Sequence, residues 1–394
     1  MLNFYANEEV SKMSDVYFSS FKTTVGTSLL EKLRLMMKKA GFEQMDLKDK
    51  YVAIKIHFGE YGNLAFLRSN YAKVVVDYVK ELGGKPFLTD CNTLYVGTRR
   101  NALDHLDTAY LNGFSPIQTG CHVIIADGLR GNDVQEIQLE GLDVPPCKIG
   151  AAIAEADVVI ALTHFKGHEV VGFGGAIKNL GMGSGSRVGK MDMHSNGKPR
   201  VTKSLCIACG ACTKVCAHGA PNIIDTTDRA GNPKRLCEID TEKCVGCGRC
   251  MAICPVDAID ANYKTSSKLL NKRMAEYALA VVQGKQNFNI SLIQDVSPNC
   301  DCHGENDLPI LPNIGMLASF DPVALDQCCS DLCMNAPVVP GSQRDLELQK
   351  IKAESRTAPA DTWRQSNPNV EWETALERAE EIGLGSREYK MIKM

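Results

Sequence analysis

The run Asp157-Val158-Val159-Ile160-Ala161-Leu162-Thr163-His164 is the most apolar strand pattern in this chain of 394 residues. Similar strand patterns lie on either side of it, and patterns of helical periodicity separate them. The predicted strands are 16–21, 51–57, 85–90, 122–127, 157–164 and 288–295, and the predicted helices are 28–40, 71–82, 99–111, 147–156, 268–282 and 375–382. Because nearly continuous apolar strands alternate with helices, the sequence predicts an α/β fold, a mostly parallel sheet with helices on both faces.

Four of the predicted strands end in a polar or ionisable residue. These residues are His57, Asp90, Asp127 and His164. Ligands of open parallel sheets bind at the carboxyl ends of strands, so the four ends form one binding rim if their strands are neighbours. Each residue alone is equally compatible with a loop cap, because Asp-Gly is an ordinary turn sequence. The set taken together favours a binding site.

The segment from Thr163 to Gly183 combines many glycines with two histidines, a glutamate and two lysines. Glycine lets backbone amides approach a ligand closely, and a glycine-rich entry into a helix can hold an anion. The spacing fits neither a Walker loop nor the dinucleotide fingerprint. A flexible linker is the alternative for this segment, and it is the expectation for residues 184–198.

These patterns select the candidate site residues. The predicted catalytic residues are His57, His164, Lys166, His168 and Lys178, and the predicted cofactor-binding residues are Gly174, Gly175, Asn179, Asp90 and Asp127. The first two histidines are expected to act as acid–base groups, since imidazole titrates near neutral pH. The two lysines are expected to hold an anionic group, while His168 and Glu169 orient the ligand or transfer protons.

Two cysteine runs are the other distinctive feature. They are Cys206-x-x-Cys209-x-x-Cys212-x-x-x-Cys216 and Cys244-x-x-Cys247-x-x-Cys250-x-x-x-Cys254, the second followed by Pro255. This spacing is typical of bacterial [4Fe–4S] binding, in which the fourth cysteine of each run ligates the other cluster. The sequence predicts one cluster on Cys206, Cys209, Cys212 and Cys254, and a second on Cys244, Cys247, Cys250 and Cys216. Structural zinc sites or a disulfide framework are the alternatives, but neither usually repeats a four-cysteine run intact.

The two runs repeat at an offset of 38 residues, and the stretch from Val201 to Tyr263 resembles a dicluster ferredoxin domain. It departs from the usual pattern at Ala217, where proline is expected, which removes a rigid turn and no ligand. We therefore predict an inserted ferredoxin-like α+β domain with two [4Fe–4S] clusters at residues 201–263. It interrupts a discontinuous α/β domain made of residues 1–200 and 264–394.

Three features together resemble the family catalogued as domain of unknown function 362. They are the segment 163–183, the inserted ferredoxin and Asp321-Pro322-Val323-Ala324-Leu325-Asp326, which predicts a helix start with Asp321 as N-cap. The resemblance extends from about Val16 to the end of the chain. It implies a cytoplasmic iron–sulfur protein and no settled reaction.

Composition narrows the range of partners. A net charge of −3 does not indicate binding to nucleic acid or to a membrane surface, and no apolar run reaches the length of a membrane span. The start of the chain lacks the pattern of a secretion signal. The 17 cysteines do not form a secreted-type framework, so we expect a reducing cytoplasm in an anaerobe.

Two functions follow from these patterns. One is an iron–sulfur oxidoreductase that relays electrons to a substrate or cofactor at the strand-end rim. The other is a non-catalytic electron carrier or iron–sulfur delivery protein that docks a redox partner. A third hypothesis is a nickel or other transition-metal site at His57, His164, Cys300 and Cys302. For Cys300, Cys302 and His303 a tight polar loop is favoured over a soft-metal site, and an added flavin and the oligomeric state stay open.

Overall fold

The computed structural model describes residues 13–95, 97–195, 198–228, 231–244, 249–261 and 267–394. The strands are β1 (Ser14–Ser20), β2 (Tyr51–Lys55), β3 (Lys85–Asp90), β4 (Val123–Ile125), β5 (Val134–Ile137), β6 (Cys147–Gly150), β7 (Val158–His164), β8 (Lys166–His168), β9 (Gly172–Gly174), β10 (Pro199–Val201), β11 (Pro221–Thr227), β12 (Pro233–Ile239), β13 (Ile259–Ala261), β14 (Gln286–Ile293), β15 (Gly315–Ser319) and β16 (Tyr389–Lys393).

The helices complete this order. They are α1 (Leu29–Lys39), α2 (Ser69–Glu81), α3 (Ala102–Leu111), α4 (Pro116–Thr119), α5 (Ala151–Glu155), α6 (Ala176–Ser184), α7 (Arg187–Ser195), α8 (Ala211–Val215), α9 (Arg249–Ile253), α10 (Ser267–Val282), α11 (Pro322–Met334), α12 (Gln343–Ala353), α13 (Thr362–Ser366) and α14 (Glu373–Glu381), with a 3-10 turn at Phe42–Gln44. Over the part of the chain that is described, none of them is both long and apolar enough to cross a membrane.

An eight-stranded mixed sheet organises the chain, in the order β16-β1-β15-β14-β7-β2-β3-β4. The five strands from β14 to β4 run parallel to one another, so their carboxyl ends meet at one edge. Strand β15 is antiparallel to both β14 and β1, and β16 pairs in parallel with β1. The predicted α/β fold with a mostly parallel sheet is confirmed.

Strand β7 shows why its sequence is almost entirely apolar. Val158, Ile160 and Leu162 face one core, which contains buried residues of α1 and α2. Val159 and Ala161 face the other core, which contains buried residues of α6, α10 and α11. Alternate residues of a strand point to opposite faces, so a strand covered on both sides is apolar throughout. The predicted helices on both faces are therefore present.

Two predicted elements are wrong. Residues 147–156 are not one helix, because Cys147–Gly150 forms β6 and pairs with β5, and only Ala151–Glu155 is helical. Cys147 and Ile149 are buried with the two-residue spacing of a strand. Residues 184–198 are not a linker, because they contain α7, where the hydroxyl of Ser186 accepts a hydrogen bond from the amide of Gly189 at 3.0 Å.

The segment from β10 to β13 forms two small antiparallel sheets, β10 with β13 and β11 with β12. Its local structure repeats after 38 residues, which is the offset between the two cysteine runs. Helix α8 corresponds to α9, and Gly219 (φ +59°) corresponds to Asp257 (φ +50°). The two halves of the segment therefore have the same backbone plan, while the domain boundaries at 201 and 263 stay a prediction.

Helix α6 crosses α10 with its backbone almost in contact. A Cβ on Gly181 would lie 2.1 Å from the carbonyl oxygen of Met274 and 3.1 Å from the amide nitrogen of Ala278. Only glycine allows this approach, and the approach sets the position of α6 above the sheet. That position matters below, because α6 carries two of the candidate site residues.

We expect Gly181→Ala to destabilise the protein by about 1–3 kcal/mol, because the added methyl group overpacks a helix crossing. This cost outweighs the gain of up to about 1 kcal/mol that alanine has over glycine inside a helix. Urea unfolding followed by circular dichroism measures the difference. An unfolding free energy equal to or above that of the wild type would contradict the close crossing.

Candidate functional site

A cavity of about 570 Å³ lies at the carboxyl ends of the parallel strands. His57 follows β2, Asp90 ends β3 and His164 ends β7, so three of the four predicted strand-end residues meet there. Nine of the ten predicted catalytic and cofactor-binding residues line this cavity, namely His57, Asp90, His164, Lys166, His168, Gly174, Gly175, Lys178 and Asn179.

Asp127 is the exception. It is fully buried outside the cavity lining, and its carboxylate accepts hydrogen bonds from the amides of Asn92 and Arg187, each at 2.9 Å. Asp127 thus ties the loop after β3 to the first turn of α7. Its contacts are those of a structural residue, and it is not carried into the proposal below.

The N-terminus of α6 is capped by a residue from a distant part of the chain. The carboxylate of Asp326 accepts hydrogen bonds from the amides of Ala176 at 2.6 Å and Ile177 at 2.9 Å. A Cβ on Gly175 would lie 2.3 Å from Oδ1 of Asp326, so glycine there makes room for this carboxylate. The predicted anion cradle on these amides is therefore occupied by the protein itself.

Buried ion pairs form one wall of the cavity. Nζ of Lys55 lies 3.0 Å from Asp90, and Arg99 lies 3.1 Å from Glu60 and 3.5 Å from Asp90. Burial raises the pKa of Asp90, but Lys55, His105 and Arg99 outweigh it, and the net effect lowers the pKa. These cations are matched by buried carboxylates, so the wall does not offer free positive charge to a ligand.

His164 is held by two acceptors. Its Nδ1 lies 2.7 Å from the carboxylate of Asp301, and its Nε2 lies 2.7 Å from the carbonyl oxygen of Gln294. Nζ of Lys166 is 3.2 Å from the same carboxylate. Burial raises the pKa of Asp301, but His164 and Lys166 outweigh it and lower the pKa. With both ring nitrogens engaged, His164 fits the positioning of Asp301 better than the acid–base role expected from the sequence.

The other two candidate histidines each use Nδ1 as an acceptor. Nδ1 of His57 accepts from the amide of Gly59 at 3.0 Å, and Nδ1 of His168 accepts from the amide of Val170 at 3.0 Å. Burial, followed by the charge of Arg99, lowers the pKa of His57 well below its ordinary value. In a neutral ring whose Nδ1 accepts, Nε2 carries the proton, so His57 offers an N–H donor to the cavity.

A cysteine pair completes the site. Nζ of Lys178 lies 3.2 Å from Sγ of Cys300. The pKa of Cys300 is well below that of an ordinary thiol, chiefly because of a hydrogen bond from Cys302. Burial acts against this shift, and the nearby Lys178 and His168 add to it. The same hydrogen bond raises the pKa of Cys302. Lys178, expected to bind an anionic ligand, instead faces a sulfur of the chain.

The metal hypothesis for these residues gains no support from the geometry. Over the described ranges, which also include seven of the eight predicted cluster cysteines, no group of three or more His, Cys, Asp or Glu side chains is arranged to hold a metal ion. The ring nitrogens of His164 are both engaged elsewhere, and Lys178 occupies one side of the Cys300 sulfur.

Sequence reasoning missed several residues of the cavity. Lys55, Glu60, Arg99 and Lys190 line it but were not selected. Lys55 could have been found, because a lysine inside the apolar run 51–57 must be buried with a partner. Glu60 lies in a loop and Arg99 precedes α3, and only the folded structure joins them.

The predicted cluster ligands lie in the segment from β10 to β13. Cys206, Cys209, Cys212 and Cys254 line one pocket, which is the set predicted for the first cluster. For the second set, Cys247 lies outside the described residues. Cys237, a cysteine outside both runs, also lines this pocket, with its Sγ 3.5 Å from that of Cys212.

Backbone amides point at sulfur in both halves of this segment. The amide of Ala220 donates to Cys216 at 3.4 Å, and the amide of Ala258 donates to Cys254 at 3.2 Å. These two contacts are related by the offset of the sequence repeat. Hydrogen bonds to sulfur are one of the means by which a protein tunes an iron–sulfur cluster, so the arrangement fits cysteines that serve as ligands.

An apolar cluster connects the cysteine segment to the cavity. Leu94 lines the cavity and also belongs to an apolar cluster with Met191, Cys212 and Cys250. Asp260 of β13 lines the cavity directly. The cysteines are therefore packed next to the site without an intervening linker.

The comparisons with known proteins identify a family. The model described as "Domain of unknown function (DUF362)" matches residues 52–331. The chain belongs to the DUF362 family. The match includes the glycine-rich segment, the cysteine runs and Asp326. No curated protein shows significant similarity to this DUF362 chain.

Two solved structures show distant similarity to this DUF362 protein. The lactate racemase apoprotein from Thermoanaerobacterium thermosaccharolyticum is 13% identical, with a TM-score of 0.29 over 64% of this chain and 60% of that one. A protein from Thermotoga maritima is 11% identical, with a TM-score of 0.39 over 77% of this chain and 57% of that one. The chain thus spans less than two thirds of the length of either protein.

We expect Gly175→Ala to destabilise the protein by about 2–4 kcal/mol, because the new methyl group displaces Asp326 and leaves two buried amides unpaired. The matched control is Gly174→Ala, where the nearest atom would lie 3.4 Å from the new Cβ and the cap is undisturbed. Urea unfolding of both variants measures the difference. Equal destabilisation by the two substitutions would show that α6 does not depend on this cap.

Proposed function

We propose that this DUF362 protein is an iron–sulfur oxidoreductase. Two [4Fe–4S] clusters, each a carrier of one electron, are held by the eight cysteines of the two runs and serve a ligand in the strand-end cavity. The observation that carries the proposal is the shared pocket of Cys206, Cys209, Cys212 and Cys254, which one apolar cluster connects to Leu94 of the cavity lining.

The donor set suits the clusters better than zinc. Five thiols line one pocket. Four of them belong to the two runs, three from the first run and one from the second, as in two-cluster ferredoxins, and the fifth is Cys237. Paired zinc knuckles would group the cysteines within each run instead. The amides directed at Cys216 and Cys254 supply the hydrogen bonds that stabilise thiolate ligands.

The cavity supplies the other half of the proposal. A volume of about 570 Å³ accommodates a small organic ligand. His57 presents an N–H donor there, and Asn179 is held between Lys55 and the hydroxyl of Thr163, which fixes its orientation. Because the charges of the wall are paired, we expect the ligand to be bound by hydrogen bonds and shape more than by net charge.

A non-catalytic electron carrier would not need a cavity with convergent polar side chains beside its clusters. The polar residues at the strand ends cost free energy to bury, and their retention in one cavity favours a bound ligand. The reducing compartment expected from the free thiols is consistent with this chemistry.

The first test is the metal content of anaerobically purified protein. We expect about eight irons and about eight sulfides per chain. Cys212→Ala should lose about half of this iron, because it removes a ligand of one cluster. The matched control is Cys237→Ala, a neighbouring buried thiol that is not a proposed ligand and should leave the iron content unchanged.

Zinc in place of iron, or equal iron loss in both variants, would contradict the assignment of ligands. Full iron content in a protein that binds no small molecule in the cavity would instead favour the electron carrier.

A further inference from the structure

We propose that Cys300 and Cys302 are a redox-active dithiol–disulfide pair in the cavity, and that the pair reduces a small-molecule disulfide. The inference rests on the proposed function for its electron source, because the two clusters would return the oxidised pair to the dithiol. It assigns the reacting group of the site and the chemical class of its substrate.

The geometry singles out Cys300 among the buried cysteines. Its sulfur faces the amine of Lys178 at 3.2 Å, and its backbone amide faces the carboxylate of Glu169 at 3.4 Å. Both Cys300 and Cys302 line the cavity, so a ligand there can reach either sulfur. A buried lysine next to a thiol favours the thiolate, which is the nucleophilic form.

Cys91 provides the contrast within the same cavity. Its thiol donates to the carbonyl oxygen of Ser184 at 3.3 Å, and burial raises its pKa well above the ordinary value. Hydrogen bonding from Cys302 and the charge of Lys178 act in the opposite direction on Cys300. The surroundings of these two cavity thiols therefore shift their pKa in opposite directions.

The loop that carries the pair is held on both sides. Asp301, between the two cysteines, is fully buried and its carboxylate binds His164 and Lys166. Its carbonyl oxygen accepts from the amide of Glu60 at 3.0 Å, and the amide of His303 donates to the carbonyl of Cys300 at 3.1 Å. A reactive sulfur is useful only if it is positioned, and this network positions both sulfurs.

The proposed reaction consists of two thiol–disulfide exchange steps and one reduction, and its atoms and electrons balance. The Cys300 thiolate attacks one sulfur of the substrate disulfide, so a mixed disulfide forms and one substrate thiolate leaves. Cys302 then attacks Cys300, giving its proton to the departing thiolate, which releases the second substrate thiol and forms the Cys300–Cys302 disulfide. Two electrons, one from each reduced cluster, and one proton restore the thiolate and the thiol.

The test uses 2-hydroxyethyl disulfide with the full-length, anaerobically purified protein. After acid quenching and alkylation, peptide mass spectrometry should find the Cys300–Cys302 disulfide in the wild type. In Cys302→Ser a mercaptoethanol adduct should accumulate on Cys300, because the resolving thiol is absent. In Cys300→Ser no adduct should form at position 302.

Two variants test whether Cys300 reacts because of its surroundings or only because a ligand can reach it. Lys178→Gln in the Cys302→Ser background should slow adduct formation by about tenfold or more at a pH below the pKa of Cys300, since in that range one unit of thiol pKa changes the thiolate fraction tenfold. Cys91→Ser, the cavity-thiol control, should leave the pattern of adducts unchanged. An adduct mainly on Cys91, or no effect of Lys178→Gln, would overturn the proposal.

The link to the clusters is tested separately. Photoreduction with a deazaflavin should return the disulfide to the dithiol in the wild type, and this step should slow in Cys212→Ala. If exchange occurs but iron is absent, the pair stands and the proposed electron source fails. If the clusters are present but Cys300 forms no disulfide, the pair alone is wrong. Stoichiometric zinc lost in Cys302→Ser would likewise overturn it in favour of a metal site.

Discussion

The carboxylate of Asp326 accepts hydrogen bonds from the first two amides of α6, and the candidate site depends on this contact. It joins two parts of the chain that are distant in sequence, the glycine-rich entry to α6 and the helix α11. Helix α6 then projects Lys178 towards Cys300 and Asn179 towards Lys55. Burial raises the pKa of Asp326 to about 7, against the influence of the amides of Ile177 and Ala176, so the cap is a costly group to bury. A buried carboxyl is kept in a protein when it is hydrogen-bonded, and here it orients a helix whose side chains form the site.

Buried carboxylates hold several of the basic side chains around the cavity. Asp90 is shared by Lys55 and Arg99, and Asp301 is shared by His164 and Lys166. Lys178 is the cation in this group whose partner within hydrogen-bond distance is a sulfur. This difference is why the reactivity of the site is assigned to Cys300 and not to the strand-end histidines.

The sequence was most informative where burial pattern and local spacing decide the structure. Strand β7 and the helices on both faces follow from periodicity, and the strand-end rule brought His57, Asp90 and His164 to one cavity. The same rule failed for Asp127, because a residue at the correct strand end can turn towards a helix start instead of the ligand. The glycine-rich pattern predicted a cofactor at Gly175, but it could not show that the amide after this glycine binds Asp326, 150 residues away in the chain. Interactions between distant loops, such as Arg99 with Glu60, leave no periodic trace in a single sequence.

The prediction that residues 184–198 form a linker was wrong, and this difference bears directly on function. Had that stretch been flexible, the cysteine segment would have had no fixed distance to the cavity, and electron transfer within the chain would compete with diffusion. Instead α7 leads into the segment and α10 leads out of it, and the two helices pack together where a Cβ on Gly189 would lie 2.9 Å from the ring of Tyr277. At the base of the segment β10 pairs with β13, so entry and exit are closed by hydrogen bonds. Because α10 also crosses α6 at Gly181, the helix that holds Lys178 packs against the helix that follows the cysteine segment. A fixed geometry between proposed electron carriers and a reactive pair is what an intramolecular relay requires, and a mobile carrier domain would not need it.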